Sequence, residues 1–187
     1  MTNKILVAEP MSTAFNVLED IRQRGFEPVI LEAYIPEGYA RSLMDAEREI
    51  KYSRIDYPIT IIREKPEYEE TLREIRELDP FLVLVGGEEG VILGTRLAND
   101  LGMTGNPASN IDKMTQKSVM HRTLKEVGLR SIRFMEVFSC EDCLRFMDKI
   151  GSEDLVLKHD HGVGSVGVHM VHGREEVLEA FRQEETA

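Results

Sequence analysis

The sequence predicts an α/β protein in which a parallel-sheet domain precedes a smaller α+β domain. Short apolar runs alternate with charged, helix-periodic segments through the first half of the chain, as they do in β-α-β units. A turn-rich joint, Thr-Gly-Asn-Pro, follows at 104–107. Beyond it, two short apolar runs flank a glycine-rich loop at 162–167. We therefore expect one domain over 1–107 and a second over 108–187.

The composition is that of an ordinary globular protein and excludes several classes of function. The 187 residues are 42% hydrophobic and 30% charged. A formal charge of −11 and a pI near 5.0 argue against nucleic acid or an anionic membrane as the main partner. No apolar run approaches the roughly 20 residues of a membrane span, and the N-terminus lacks the features of a signal peptide. With two cysteines, we expect a cytoplasmic protein.

The first strand, helix and second strand form one β-α-β unit. Residues 5–8 are apolar and end at a Glu-Pro pair, which predicts a buried strand. Ser12 can cap the helix that follows, and Gly25 can end it. Residues 26–31 form the next strand. A unit of about 30 residues predicts two parallel strands joined by a right-handed crossover.

The strongest strand of the chain lies at 81–85. All five residues are apolar, and a strand that is apolar on both faces is expected at the centre of a parallel sheet. Gly86, Gly87 and Glu88 follow at its carboxyl end, where open parallel sheets bind ligands. The rest of this domain is predicted to contain helices at 39–50, 67–78 and 91–101 and a strand at 59–62.

The second domain is predicted to begin with one helix over 109–127. Ser109 and Asp112 have the spacing of a capping box, with Asp in place of the usual Glu or Gln. The remaining predicted elements are a strand at 132–138, a helix at 140–150, two strands joined by the glycine-rich loop, and a helix at 174–183.

One lysine of the first helix in this domain lies on an unexpected face. Met120, Leu124 and Val127 recur at helical spacing and predict a stripe that faces the core. The same stripe, continued backwards, reaches Lys117. Because a lysine is costly to bury without a partner, two interpretations stay open. The aliphatic stem covers the core while the ammonium reaches water, or the ammonium meets a bound anion.

The glycine-rich loop indicates phosphate binding. Gly162, Gly164 and Gly167 would let backbone N–H groups approach an anion closely, and Lys158 adds a positive charge where the loop begins. The spacing matches G-x-G-x-x-G, but β-branched residues follow where a dinucleotide-binding fold needs a helix. We therefore predict a flap on a β-hairpin. The competing interpretation is an ordinary long hairpin loop with a lysine at the strand end.

The order of these parts resembles the first half of an ATP-grasp carboxylate–amine ligase. The matching segments are 116–120 (QKSVM), 124–129 (LKEVGL), 156–158 (VLK) and 162–168 (GVGSVGV). The run 87–102 resembles the preceding domain of amino-acid ligases and biotin-carboxylase-like members. The resemblance covers nearly the whole chain. It implies a Rossmann-like pre-ATP-grasp domain followed by the first ATP-grasp subdomain.

The resemblance also implies a role for particular residues. Lys117, seven residues before Leu124, and Lys158 match two lysines that bind ATP phosphates in that superfamily. The loop residues that would close over the β- and γ-phosphates are Gly162, Gly164, Ser165 and Gly167. Glu88 would contact an amino or carboxylate substrate. The implied reaction activates a carboxylate as an acyl phosphate, which an amine then attacks. ATP and small-molecule substrates would be the partners, in a monomer or a homo-oligomer.

This sequence departs from the superfamily in two ways. His159 stands where members usually have proline. Only one helix is predicted after residue 171, so the adenine-binding hinge and the ligands for Mg²⁺ are expected outside this chain. The expectation is a truncated ligase or split subunit that does not complete catalysis alone. The alternative is a non-catalytic nucleotide-binding module that needs a partner chain.

Two further groups of residues suggest other chemistry. Cys140 and Cys143 have the spacing of a thiol–disulfide motif, which would make the protein a small thiol oxidoreductase. We favour two ordinary thiols, because acidic neighbours oppose a thiolate. His159, His161 and His169, with His172, cluster along the sequence. Metal binding stays open for them, and the favoured interpretation is that His159 and His161 flank the phosphate loop.

Overall fold

The computed structural model describes residues 2–162 and 167–185. The chain divides into two compact units, an N-terminal unit of Met1–Ile111 and a C-terminal unit of Asp112–Ala187. The first contains a parallel sheet and the second a small antiparallel hairpin. The predicted α/β class is confirmed. No helix of the described residues is long and apolar enough to cross a membrane.

The N-terminal unit is built on a four-stranded parallel sheet of order β3-β2-β1-β4. Its strands are β1 (Lys4–Ala8), β2 (Glu27–Glu32), β3 (Thr60–Arg63) and β4 (Leu82–Val85). Its helices are α1 (Val17–Gln23), α2 (Tyr39–Tyr52), α3 (Tyr68–Leu78) and α4 (Gly90–Asp100). Leu6 pairs with Val29 on one side and with Val83 on the other. This register aligns the carboxyl ends of the strands at one edge of the sheet.

Both faces of the sheet are covered, which explains the continuous apolar runs of β1 and β2. Because side chains alternate along a strand, Leu6 and Val29 pack on one face with residues of α3 and α4. Val7 and Ile30 pack on the other face with α1. All four are fully buried.

The strand β4 lies at an edge of the described sheet, so its predicted central position is wrong. Only β1 pairs with it among the described strands, and Phe81 and Val85 are 52% and 43% exposed. Its continuous apolar run reflects cover on both faces rather than pairing on both sides, because Val83 packs in one core cluster and Leu82 and Leu84 pack against the other. Periodicity alone does not distinguish these two causes.

Two predicted helix caps are wrong. A 3-10 turn, Ser12–Asn16, precedes α1, so Met11 is the residue before the helical segment and Ser12 lies inside it with φ of 52°. A second 3-10 turn, Ala108–Asn110, places Ser109 inside a turn rather than before it. In both places the chain enters its helix through a tighter turn than the capping pattern assumes.

A buried ion pair lies where β1 and β2 end. Glu9 follows β1, is fully buried, and is ion-paired with Arg48 of α2. Its Oε1 also accepts a hydrogen bond from the backbone N–H of Ala33 at 2.6 Å. The backbone N–H of Glu9 donates to the Leu31 carbonyl at 2.9 Å. One side chain therefore joins β1, β2 and α2.

Alanine at Gly90 is expected to lower the free energy of unfolding by about 1–3 kcal/mol. A Cβ at this position would lie 2.5 Å from the carbonyl oxygen of Ala8, a backbone atom that cannot move without disturbing β1. Urea denaturation measures the change. Gly105→Ala is the matched control, since its Cβ would meet the Ala98 side chain at an ordinary 3.6 Å. Equal loss in both variants would contradict a close approach at Gly90.

The C-terminal unit packs two helices against a hairpin. Its elements are α5 (Ile111–Thr115, which begins at the last residue of the N-terminal unit), α6 (Lys117–Glu126), α7 (Cys140–Ile150), β5 (Asp154–Leu157), β6 (His169–His172) and α8 (Gly173–Glu185). Cys143 and Met147 of α7 form a buried cluster with Val171, Val177 and Ala180. The predicted hairpin is confirmed, because β5 and β6 pair antiparallel.

Two predictions for this unit are wrong. The helix predicted over 109–127 is interrupted at Gln116, whose φ of −107° and ψ of 117° are extended. Within α6 the buried positions are Ser118 and His121, whereas Met120 and Val127 are 36% and 65% exposed. The apolar stripe therefore does not face the core of this unit. Periodicity within α6 therefore does not show which face meets the rest of the unit.

The strand predicted over 132–138 is also absent from the described residues. Its side chains lie largely outside the core, with Ile132 58% and Phe138 91% exposed. Without a neighbouring strand, β-branched and apolar residues do not form a ladder. This segment instead lines a cavity that β5 and α6 also border.

Candidate nucleotide site

The hairpin presents the glycine-rich loop between two paired strand ends. Leu157 of β5 faces His169 of β6, and the loop leaves and returns at these residues. Gly162 and Gly167 near its two ends have φ of 119° and 65°, a region that favours glycine. The predicted phosphate contacts Gly164 and Ser165 lie outside the described residues.

Lys158, the residue directly after β5, lines a cavity of about 530 Å³ within the C-terminal unit. Its side chain is exposed and has no ion-pair partner among the described residues. The cavity wall also contains Lys117, with apolar side chains such as Phe134, Phe146 and Leu155. We call it the lysine cavity. The lysine cavity therefore combines two positive charges with an apolar surface. Such a lining suits a molecule that has both a negative charge and a planar apolar part.

Lys117 begins α6, and its ammonium contacts the glycine-rich loop. The Nζ atom donates to the carbonyl oxygens of Asp160 and Gly162, each at 3.1 Å. These partners are neutral dipoles, so the positive charge is oriented but not neutralised by them. The side chain therefore neither covers an apolar core nor extends freely into water. Its ammonium lies against the backbone of the residues that follow Lys158.

Asp160 joins the loop to the start of α6. Its two carboxylate oxygens accept hydrogen bonds from the Ser118 backbone N–H at 2.6 Å and the Ser118 hydroxyl at 2.9 Å. Its own carbonyl accepts the Lys117 backbone N–H at 3.2 Å. A carboxylate at a helix N-terminus satisfies donors that lack helical partners. The contact fixes Lys117 against the residues that follow Lys158.

The charged form of Asp160 is favoured at this position. Burial raises the pKa of its carboxyl, but the hydrogen bonds from Ser118 and the charges of His161 and Lys117 outweigh burial, and the net pKa is lowered. Asp160 therefore stays ionised at neutral pH and keeps accepting from the α6 N-terminus.

His159, which stands where the resembling superfamily usually has proline, packs on Gly167. A Cβ added to Gly167 would overlap the His159 ring, so a larger residue would displace this exposed side chain, and the φ of 65° independently favours glycine. The His159 ring Nε2 lies 2.7 Å from Glu184 Oε2, and the His169 Nε2 lies 2.7 Å from Glu184 Oε1. One carboxylate of α8 thus contacts both sides of the hairpin, where the loop begins and ends.

These contacts give the histidine cluster a structural explanation. Hydrogen bonding from His169, together with His159, lowers the pKa of Glu184. At the far end of the hairpin, His172 Nδ1 lies 2.8 Å from Asp154 Oδ1. Over residues 2–162 and 167–185, no group of three or more His, Cys, Asp or Glu side chains is arranged to hold a metal ion.

The His172–Asp154 contact predicts a pH dependence of stability. Hydrogen bonding and charge attraction from Asp154 raise the pKa of His172. Its stabilising contribution is therefore complete below the unfolded pKa of about 6.5 and is lost as pH rises through the higher folded pKa. We expect Asp154→Asn to lower the melting temperature at pH 5.5 and to leave it nearly unchanged at pH 9.

NMR titration of the His172 imidazole, with melting curves at both pH values, checks this expectation. Glu175→Gln, which removes an exposed carboxylate from the first turn of α8, is the matched control. A His172 pKa that is the same in wild type and Asp154→Asn would contradict the contact.

The two cysteines lie in a setting that disfavours thiol chemistry. Cys143 is buried in the core of the C-terminal unit, and burial, with the neighbouring Cys140, raises the pKa of its thiol to about 11. Burial and Glu141 also raise the pKa of Cys140. Since the thiolate is the reactive form, these shifts favour the interpretation as ordinary thiols.

Glu88 belongs to the N-terminal unit. It follows β4 in the turn that leads into α4, its side chain is exposed, and its carbonyl accepts the backbone N–H of Val91 at 3.0 Å. Of the predicted site residues, the structure thus brings Lys117, Lys158 and Gly162 together, and Gly167 lies on His159 beside them.

Three residues of this site were missed by sequence reasoning. Ser118, Asp160 and Glu184 make contacts with residues 25 or more positions away along the chain. No short motif contains both partners of such a contact. The one available signal was the acidic residue between His159 and His161, since a carboxylate is unexpected beside a phosphate loop.

No protein-family model and no curated protein matches this chain. Solved structures do match it. The biotin carboxylase domain of 2-oxoglutarate carboxylase from Hydrogenobacter thermophilus, solved with MgADP, ADP and bicarbonate, covers 98% of the chain with a TM-score of 0.64 and 18% identity. L-amino acid ligase from Bacillus licheniformis covers 99%, with a TM-score of 0.65 and 18% identity.

A third match is N5-carboxyaminoimidazole synthetase from Staphylococcus aureus in complex with ADP, which covers 98% of the chain with a TM-score of 0.63 and 15% identity. The chain spans 40%, 43% and 44% of these three structures, or about two-fifths of their length. The matches confirm the fold that the resemblance predicts, an α/β domain followed by a small α+β domain.

Proposed function

We propose that this chain is the ATP-binding portion of an ATP-dependent carboxylate–amine ligase. One observation carries the proposal: Lys117 and Lys158, which come from different elements, line one cavity at the base of a glycine-rich hairpin loop. The fold shared with three ligases, two of them solved with ADP, supports it. We place the protein in a reducing cytoplasm, where both cysteines stay thiols.

In this proposal, the two lysines neutralise the phosphate oxygens of ATP. Lys117 exchanges the carbonyls of Asp160 and Gly162 for a phosphate oxygen, and Lys158 supplies the second charge. Backbone amides of Gly162, Gly164, Ser165 and Gly167 cover the β- and γ-phosphates and exclude water. Phosphoryl transfer depends mainly on such positioning and charge neutralisation.

The proposed reaction has two steps. A carboxylate oxygen attacks the γ-phosphorus and ADP leaves, which gives an acyl phosphate. An amine then attacks the acyl carbon, loses a proton and expels inorganic phosphate. Glu88 is proposed to contact the amino or carboxylate substrate. Mg²⁺ is proposed to accompany ATP, with its protein ligands expected outside this chain.

Isothermal titration calorimetry with ATP, ADP, AMP and tripolyphosphate tests the proposal. We expect affinity to increase from AMP to ADP to ATP, because each added phosphate brings oxygens within reach of another cation or amide. Tripolyphosphate should bind more weakly than ATP, since it lacks the base that packs on the apolar wall of the lysine cavity. Equal affinity for AMP and ATP, or no binding of any of the four, would contradict the phosphate assignment.

A further inference from the structure

A second cavity lies in the N-terminal unit, beyond the carboxyl ends of β2 and β3 and against α2. Its volume is about 440 Å³, within the roughly 300–1,000 Å³ of small-molecule pockets. Its walls contain three arginines, Arg41, Arg48 and Arg63. We call it the arginine cavity. None of its residues lines the lysine cavity.

Unpartnered buried polar atoms concentrate around this cavity. In residues 2–162 and 167–185, three buried side-chain atoms lack a hydrogen-bond partner of good geometry: Arg48 Nε, the Tyr52 hydroxyl and Glu9 Oε2. Arg48 and Tyr52 line the cavity, and Glu9 is ion-paired with Arg48. Buried polar groups are normally hydrogen-bonded, so each exception needs a cause. Two of these atoms belong to residues that line the cavity, and among the described residues the Tyr52 hydroxyl has only Glu32 beside it, so a polar molecule in the cavity could supply further partners to both.

The charges around the cavity alternate in sign. Arg41 pairs with Asp45, Arg48 with Asp45 and Glu9, and Arg63 with Glu32. The carboxylates that line the cavity are Glu32, Asp45, Glu49 and Glu64. A purely anionic ligand would therefore approach four carboxylates, and a purely cationic ligand three guanidinium groups. A small molecule that carries both charges fits this lining best.

Tyr52 adds a neutral donor to this lining. Burial, the charges of Glu32 and Glu9, and a hydrogen bond to Glu32 raise the pKa of its hydroxyl, so the proton stays on the oxygen throughout the physiological pH range. Ala33, Tyr34 and Ile35 form an apolar part of the same wall. The cavity thus offers donors, acceptors and an apolar surface within one small volume.

We propose that the arginine cavity binds a free α-amino acid. Its carboxylate meets Arg41 and the Tyr52 hydroxyl, its ammonium meets the carboxylates of Glu32 and Glu64, and its side chain packs on Tyr34. This site is separate from the nucleotide site, and the proposal does not depend on the ligase activity. It assigns a ligand class to residues that the ATP proposal leaves unused.

The first experiment measures thermal stability of the full chain with each of the twenty common L-amino acids at millimolar concentration. We expect at least one of them to raise the melting temperature, because a ligand of the folded state stabilises it. The N-acetyl and the amide derivatives of that amino acid, each lacking one charge, should give no shift. If none of the twenty shifts the melting temperature, or if the derivatives act as strongly, the proposal is wrong. A shift with phosphate or spermidine alone would indicate a ligand of single charge and would also overturn it.

The second experiment uses variants. Tyr52→Phe should change stability without ligand only slightly, because the group that interacts with its hydroxyl, Glu32, keeps its ion pair with Arg63, yet should weaken amino-acid binding about tenfold. Arg41→Gln, at a partly exposed position, should weaken binding by at least as much. Tyr57→Phe, a tyrosine of the same unit that does not line the cavity, is the matched control and should bind like wild type.

A third variant separates this proposal from the nucleotide proposal. Lys117→Ala combined with Lys158→Ala should leave amino-acid binding unchanged, because neither lysine borders the arginine cavity. Loss of amino-acid binding in that variant, or full binding in both Tyr52→Phe and Arg41→Gln, would overturn the assignment to this cavity.

Discussion

Replacing both Lys117 and Lys158 by alanine is expected to weaken ATP binding by roughly two to four orders of magnitude. A hydrogen bond to a charged group contributes about 1.5–3 kcal/mol, and each 1.4 kcal/mol is a factor of ten in affinity. The free energy of unfolding should stay near that of wild type, because Lys158 is exposed and Lys117 contacts only two loop carbonyls through its ammonium. Titration calorimetry and melting curves together measure both quantities.

The matched control replaces two other lysines of the same unit. Lys125 and Lys149 are exposed at the ends of α6 and α7 and do not line the lysine cavity. Lys125→Ala combined with Lys149→Ala removes the same net charge, so it isolates the effect of position from that of overall charge. If both double variants lose ATP binding equally, a general electrostatic effect explains the result and the assigned contacts are wrong.

Glu9→Ala is expected to destabilise the protein by about 3–5 kcal/mol, because it removes the buried carboxylate that pairs with Arg48 and leaves this largely buried guanidinium only the more exposed Asp45. The side chain of Glu9 is fully buried and that of Arg48 is 12% exposed. The variant also loses the acceptor of the Ala33 backbone N–H. Urea denaturation monitored by circular dichroism gives the free energy. Glu19→Ala, which removes an exposed carboxylate paired with Arg22, should change it by less than about 1 kcal/mol.

A double variant distinguishes the charge of this pair from its packing. Burial raises the pKa of Glu9 even though Arg48 lowers it, so the attraction does not fully offset the desolvation of the carboxylate. Replacing both partners by apolar residues, Glu9→Leu with Arg48→Met, should therefore be less destabilising than Glu9→Ala alone. A double variant that is less stable than Glu9→Ala would contradict this account.

Elements with a clear local sequence pattern could be predicted from the sequence. The helix predicted at 140–150 coincides with α7, and the hairpin follows from two short apolar runs around glycines. Position within a sheet was not predictable in the same way, because β4 is apolar throughout and yet lies at an edge. The orientation of α6 failed for a related reason. Ser118 and His121 are buried and Met120 and Val127 are exposed, and the apolar pattern of the helix alone does not show which face meets the rest of the unit.

In the candidate site too, features with a local sequence pattern were predicted and long-range contacts were not. Lys117 and Lys158 were found because each belongs to a motif of fixed local spacing. The partners that hold them were not found, since Asp160 contacts Ser118 across 42 positions and Glu184 contacts His159 across 25. Glu9 and Arg48 are 39 positions apart. Such pairs depend on how elements pack, and a single sequence contains no record of packing between distant residues.

The contact of Glu184 with both His159 and His169 has a consequence for how the chain between them can vary. The carboxylate of Glu184 holds the two ends of the segment 159–169 together. These contacts offset the entropy cost of bringing the ends close, so interactions within the segment do not have to. Closing a longer segment costs only about 0.6 kcal/mol for each doubling of its length. Variants of this chain with a longer or shorter segment between His159 and His169 are therefore expected to keep the hairpin.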